Sequence, residues 1–109
     1  MRRGEIWTLR DDRYASKARP VVVQGDLEQF DSVVLCLLTS FHRPDAERVR
    51  VDPTPSNGLS KTSYVMADKI VTVRQHELGR CVGELTAAQM HAVSRQLARL
   101  LALTKDDLS

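Results

Sequence analysis

A chain of 109 residues with 42% hydrophobic content is long enough for one hydrophobic core and too short for two, so a single domain over residues 1–109 is expected and any elaborate site is shallow or shared between subunits. The longest apolar run, Val33 to Leu38, falls far short of the ~20 residues that cross a bilayer, and the charged N-terminus has no apolar stretch behind it, so neither a membrane span nor an export signal is expected and the cytoplasm is the expected location. Sixteen basic against fourteen acidic residues leave a net charge of +2 with both signs scattered through both halves, so composition alone does not mark a nucleic-acid binder.

Gly4 to Leu9 reads as a first strand, with Ile6 and Trp7 its main apolar side chains, and the polar run Arg10 to Lys17 as an exposed loop. Arg19-Pro20 then opens a β-branched strand, Val21 to Gln24, which Gly25-Asp26 ends. Ser32 to Thr39 is the most apolar segment and predicts a central strand buried on both faces, closing in the polar pair Thr39-Ser40. After a turn at Pro44-Asp45, the alternation in Glu47 to Val51 predicts a strand wet on one side, with Arg48 and Arg50 facing solvent or a partner.

Two prolines and Asn57-Gly58 make Asp52 to Ser60 a turn cluster, since Asn and Gly both tolerate positive φ. Ser63 to Met66 and Lys69 to Val73 read as a strand pair, Arg74 to Leu78 as a helical turn, and Cys81 to Leu85 as a short strand. Thr86-Ala87-Ala88-Gln89 is a capping box and starts a helix whose apolar stripe is Met90, Val93, Leu97, Leu100 and Leu101. Lys105-Asp106-Asp107 is expected to fray into solvent.

Cys36 and Cys81 lie in apolar strand-like segments, with no C-x-x-C pair and no His at ligand spacing, so both are expected to be reduced core residues. Short strands separated by turn signals and followed by one helix predict a mostly β fold, a small curved antiparallel sheet or barrel covered by the C-terminal helix.

Arg3-Gly4-Glu5-Ile6-Trp7, then Arg19-Pro20-Val21-Val22-Val23, then a buried strand ending Leu38-Thr39-Ser40, resembles in order and spacing the MazF/PemK toxin ribonucleases. Asn57-Gly58-Leu59 before Ser63 to Val73, and Val82-Gly83-Glu84-Leu85 before the helix, extend the resemblance over nearly the whole chain. No block is specific by itself; five or six in the right order carry weight together. The resemblance implies an SH3-like small barrel with a C-terminal helix, a homodimer, cleavage of sequence-selected single-stranded RNA without a metal or other cofactor, and a cognate antitoxin that covers the RNA groove.

Cutting RNA through its own 2′-hydroxyl needs a group to take that proton, a group to protonate the leaving 5′-oxygen, and donors for the charged phosphorane. On the resemblance, Arg19 corresponds to the family's catalytic arginine, a planar cation able to hold two phosphate oxygens. Taken by itself, Arg19 is an ordinary exposed arginine opening a strand. Thr39 corresponds to the family's threonine at the end of the central strand, placed to donate to the scissile phosphate, against the plainer role of a strand-end Thr bonding local backbone.

Ser40 points to the opposite face of a regular strand, so only one of the pair meets the phosphate unless the chain has already turned. His42, three residues beyond Thr39, is a possible acid or base or an ordinary loop histidine. Asp68 corresponds to an acidic position that PemK-type members use near the phosphate, and Lys69 stands where relatives carry Gln or a similar polar group; an adjacent Asp and Lys also commonly form a solvated surface pair. Lys17 and Tyr14 are candidates for phosphate contact and base stacking. Two departures from the family stand out: Asp11 to Ala18 lacks a glycine-rich stretch common in relatives, which bears on sequence preference, and Val71 stands where many have Arg, so one common positive contact is absent and a leaner catalytic set is expected.

The same barrel also serves CcdB-like toxins, which bind DNA gyrase and have no nuclease activity, so fold alone does not separate the two. The pairing of Arg19 with Thr39 favours the nuclease, and an inactive homologue kept as an interaction module is a third expectation to exclude.

Overall fold

The computed structural model describes residues 1–10, 19–27 and 30–109. Six strands, β1 (Glu5–Leu9), β2 (Arg19–Leu27), β3 (Ser32–Thr39), β4 (Val49–Val51), β5 (Ser63–Arg74) and β6 (Leu78–Glu84), form one sheet in the order β4-β5-β3-β2-β1-β6, with every neighbouring pair antiparallel. Helices α1 (Ala87–Leu100) and α2 (Lys105–Leu108) follow, and a 3-10 turn at Gln75–Glu77 joins β5 to β6. The fold is mostly β with a C-terminal helix, and no helix among the described residues is long and apolar enough to cross a membrane.

The apolar run of β3 is explained by its place between β2 and β5. Val33, Leu35 and Leu37 pack with Leu9, Met66, Val73 and Leu78 on one face. Cys36 and Leu38 pack on the other with Ile6, Val22, Val51, Val65, Leu85 and, from α1, Val93. The helix therefore covers the second face, while the first is closed by the sheet's own curl, which brings Leu78 of β6 into the same cluster as Met66 of β5.

The ring is completed by a loop instead of a strand pair, since β4 and β6 remain the two ends of the strand order. The turn cluster after β4 lies against β6: the Glu84 N–H donates to the Ser56 carbonyl at 3.0 Å, and a Cβ on Gly83 would collide with the backbone of Ser56 and Asn57. Gly58 has φ +68, but Asn57 does not share that conformation. Asn57 instead organises the turn from within, 2% exposed, donating through Nδ2 to the Asp52 carbonyl at 2.8 Å and accepting from the Thr54 and Leu59 N–H groups at 3.0 Å each.

Thr86 caps α1 as its motif predicts, accepting from the Gln89 N–H at 3.1 Å while Gln89 Oε1 accepts from the Thr86 N–H at 2.9 Å. Several sequence expectations are corrected. Ser63 to Val73 is one strand and not a strand pair: β5 passes Ala67-Asp68-Lys69 as a bulge, because Leu37 pairs with Met66 while Cys36 pairs with Ile70. The 105–107 segment does not fray but forms α2, capped by Thr104, whose hydroxyl accepts from the Asp107 N–H.

Cys36 is buried but Cys81 is exposed, because β6 is an edge strand whose pairing with β1 shifts register on both sides of Trp7, which defeats a simple alternation. Leu100 and Leu101 are exposed too, at the C-terminal end of α1, where Leu100 lines an open cleft and Leu101 is the cap residue beyond the helix. Arg48 does not face solvent: its side chain is 11% exposed, since the strand starts only at Val49 and the preceding residue turns inward.

Candidate functional site

Thr39 ends a strand anchored by buried Cys36, Leu37 and Leu38, so its position is fixed by the core although its own side chain is only half-buried. It pairs directly with Tyr64 on β5, and Tyr64 pairs with Arg50 on β4. Directly paired residues share a face, so Thr39, Tyr64 and Arg50 form one lateral row, on the side of the sheet away from α1. On the other flank, β2 pairs Val22 with Cys36 and Val21 with Leu37, and Arg19 and Thr39 each stand two residues beyond that last pair on their own strands.

At Ser40 the chain bends and leaves the strand. The Phe41 N–H donates to Thr39 Oγ1 at 3.1 Å. One lone pair of that oxygen is thereby satisfied, which leaves the hydroxyl hydrogen to donate elsewhere. Ser40 and His42 are exposed, Phe41 is 69% exposed, and the His42 and Tyr64 rings meet at 5.0 Å between centroids with a 39° tilt.

Ion pairs flank this corner. Arg50 Nε donates to Asp52 Oδ1 at 3.0 Å and the Thr62 hydroxyl to the same oxygen at 3.0 Å, and these two bonds, the Arg50 one foremost, hold the Asp52 carboxyl below its ordinary range. Arg43 is bidentate to Asp45, at 3.3 and 3.1 Å, and that contact likewise lowers the Asp45 carboxyl.

Asp68 and Lys69 lie in a second place, on the β5 bulge, both exposed. The carboxylate of Asp68 is 4.0 Å from Arg48 Nη2 and lines a cleft of about 430 Å³ together with Arg48, Ala67, and Gln96, Arg99 and Leu100 of α1. Two buried atoms of that lining, Arg48 Nε and Gln96 Oε1, have no hydrogen-bond partner among the described residues. Asp68 is thus engaged on the helix side of the sheet, whereas Thr39 and Tyr64 stand on the other. Lys17 and Tyr14 lie outside the described residues. Among the described residues no three His, Cys, Asp or Glu side chains gather as a metal site.

Sequence reasoning passes over Tyr64 and Phe41 and reads Arg48 only as facing solvent or a partner. Tyr64 sits in a strand segment where an aromatic is ordinary, Phe41 in a polar turn, and Arg48 in an alternation that suggests exposure. Only the cross-strand register shows that Tyr64 adjoins Thr39.

A family model described as PemK-like, MazF-like toxin of type II toxin-antitoxin system matches residues 2–101. The chain is 35% identical over 108 residues to a probable endoribonuclease MazF of Mycolicibacterium smegmatis, covering 94% of this chain and 98% of that one. Among solved structures, the Mycobacterium tuberculosis toxin MazF-mt6 superposes with a TM-score of 0.75 at 29% identity, covering 92% of this chain and 98% of the toxin. A mycobacterial endoribonuclease solved in complex with its cognate antitoxin superposes with a TM-score of 0.73 at 32% identity, covering 94% and 95% of the two chains.

Proposed function

The chain belongs to the PemK-like, MazF-like toxins of type II toxin-antitoxin systems, and on that premise we propose that it is an endoribonuclease that cuts single-stranded RNA at selected sequences, without a metal ion, through the substrate's own 2′-hydroxyl. The bond formed joins the 2′-oxygen to phosphorus and the bond broken is that to the 5′-oxygen. The 2′-hydroxyl proton passes to a base on the enzyme and the leaving oxygen takes a proton from an acid, so the phosphorane between them is where hydrogen-bond donors lower the barrier.

Thr39 carries the proposal. Its hydroxyl accepts from the Phe41 N–H, which leaves its own hydrogen for a phosphate oxygen. Arg19, two residues beyond the last β2–β3 pair just as Thr39 is, would hold the non-bridging oxygens with a guanidinium charged at any working pH. Ser40 and His42, beside Thr39, are proposed substrate contacts, and His42 is a titratable group available for proton transfer. Lys17 is proposed as a phosphate contact, and Asp68 and Lys69 as contacts further along the strand. We extend the proposal to a cytoplasmic homodimer and to neutralisation by a cognate antitoxin, the last of these supported by the antitoxin complex of the mycobacterial relative.

The test is digestion of a long transcript in excess EDTA, with fragment ends mapped by sequencing. Cuts clustered at a short sequence, lost in Arg19→Ala and Thr39→Ala while circular dichroism is unchanged, are the expected result. Intact RNA after long incubation would sink the nuclease and redirect attention to gyrase binding.

A further inference from the structure

We propose that Tyr64, with the ring of His42 tilted against it and the exposed Phe41 next to His42 in the chain, forms a platform for a nucleobase next to the scissile phosphate and thereby helps to choose the cut sequence; this rests on the nuclease function proposed above. The chain has only five Phe, Tyr and Trp residues, and two of them stand at this one corner with a histidine ring. Phe41 is 69% exposed, so its ring gains little from the core and is available to another flat surface.

The location is specific. Tyr64 is the direct cross-strand neighbour of Thr39, a relationship that sets Cβ atoms ~5 Å apart, so a phosphate at Thr39 brings an adjoining base within reach of the ring. The platform and the hydroxyl are also mechanically joined, because the Phe41 backbone is what holds Thr39 Oγ1. A base seated on these rings would brace the loop that orients the hydroxyl.

The chemistry favours bases over phosphates at this corner. Arg50 and Arg43 are already paired with Asp52 and Asp45, so neither presents an unpaired charge beside the rings. Stacking on exposed sheet aromatics is a general means of holding unstacked single-stranded bases. The ring of His42 against Tyr64 holds the platform in place before RNA arrives, which lowers the ordering cost of binding.

The experiment uses the mapped cleavage site as a short oligonucleotide with deoxyribose at the cut position, which removes the nucleophile, and a series in which each flanking base in turn is replaced by an abasic sugar. Affinity is measured for wild type, Tyr64→Leu, Tyr64→Phe, His42→Ala and Phe41→Ala. Tyr64→Leu is expected to weaken binding by roughly 5- to 150-fold, Tyr64→Phe to restore it, and one abasic position to cost wild type the same factor while costing Tyr64→Leu nothing further. Losses that simply multiply at every position would overturn the platform and leave the nuclease standing. Unchanged RNA affinity with an altered molecular mass or antitoxin affinity would make the corner a protein contact and equally overturn it. A wild-type protein that leaves RNA intact takes down both proposals.

Discussion

The guanidinium of Arg48 lies 4.0 Å from the Asp68 carboxylate, with the arginine side chain 11% exposed and the aspartate side chain half in solvent. A cation held that far from water depends on its partner more than an exposed one does. Asp68 therefore has a structural duty whether or not it also meets RNA.

Asp68→Asn is expected to destabilise the fold by about 1 kcal/mol, at the low end for an orphaned charge because the carboxylate is half solvated. Arg48→Met should be milder, and the double variant no worse than Asp68→Asn alone. Urea denaturation of the four proteins reads this cycle. Lost cleavage with unchanged stability would instead make Asp68 a substrate contact.

At Thr39, removal of one transition-state donor is expected to slow cleavage by about a hundred- to a thousandfold in Thr39→Ala. Thr39→Ser keeps the hydroxyl and should retain most of the rate. Arg19→Lys keeps the charge but not the fork, so it should recover little of what Arg19→Ala loses. Single-turnover rates on the mapped substrate decide each case, and an active Thr39→Ala would remove that hydroxyl from the mechanism.

Burial pushes the Cys36 thiol up to about 11 from its ordinary 9.0, while Cys81 is exposed. Because the folded value lies above the unfolded one, the contribution of the neutral thiol is complete below pH 9 and is lost as pH climbs toward 11. Over that window wild type should lose stability faster than Cys36→Ala, by up to about 1.4 kcal/mol per pH unit. A thiol reagent should label one cysteine in the native protein and both in urea; rapid native labelling of both would contradict the burial of Cys36.

The turn against β6 gives a further test. Gly58 adopts φ +68, and a Cβ there meets the Val82 carbonyl, so Gly58→Ala is expected to cost about 2–3 kcal/mol. Asn57→Ala leaves the Asp52 carbonyl and the Thr54 and Leu59 N–H groups without their partner and should cost a similar amount. Thermal denaturation checks both, and a silent Gly58→Ala would mean that the turn stands clear of the strand.

Patterns set by neighbours along the chain are legible in the amino-acid sequence itself. The capping box at Thr86, the doubly buried strand from Ser32 to Thr39 and the turn at Gly58 each depend on a few consecutive residues obeying backbone sterics and a fixed period. The order of motif blocks carries the family resemblance in the same way. Contacts between distant segments are not legible there, because register, bulges and edges depend on which strand lies next to which. The Ala67 to Lys69 bulge, the exposure of Cys81, the inward turn of Arg48 and the pairing of Thr39 with Tyr64 all arise from such contacts. A one-residue slip reverses a strand's faces, and no local pattern records it, so the surroundings of the candidate site are decided only when the strands come together in the sheet.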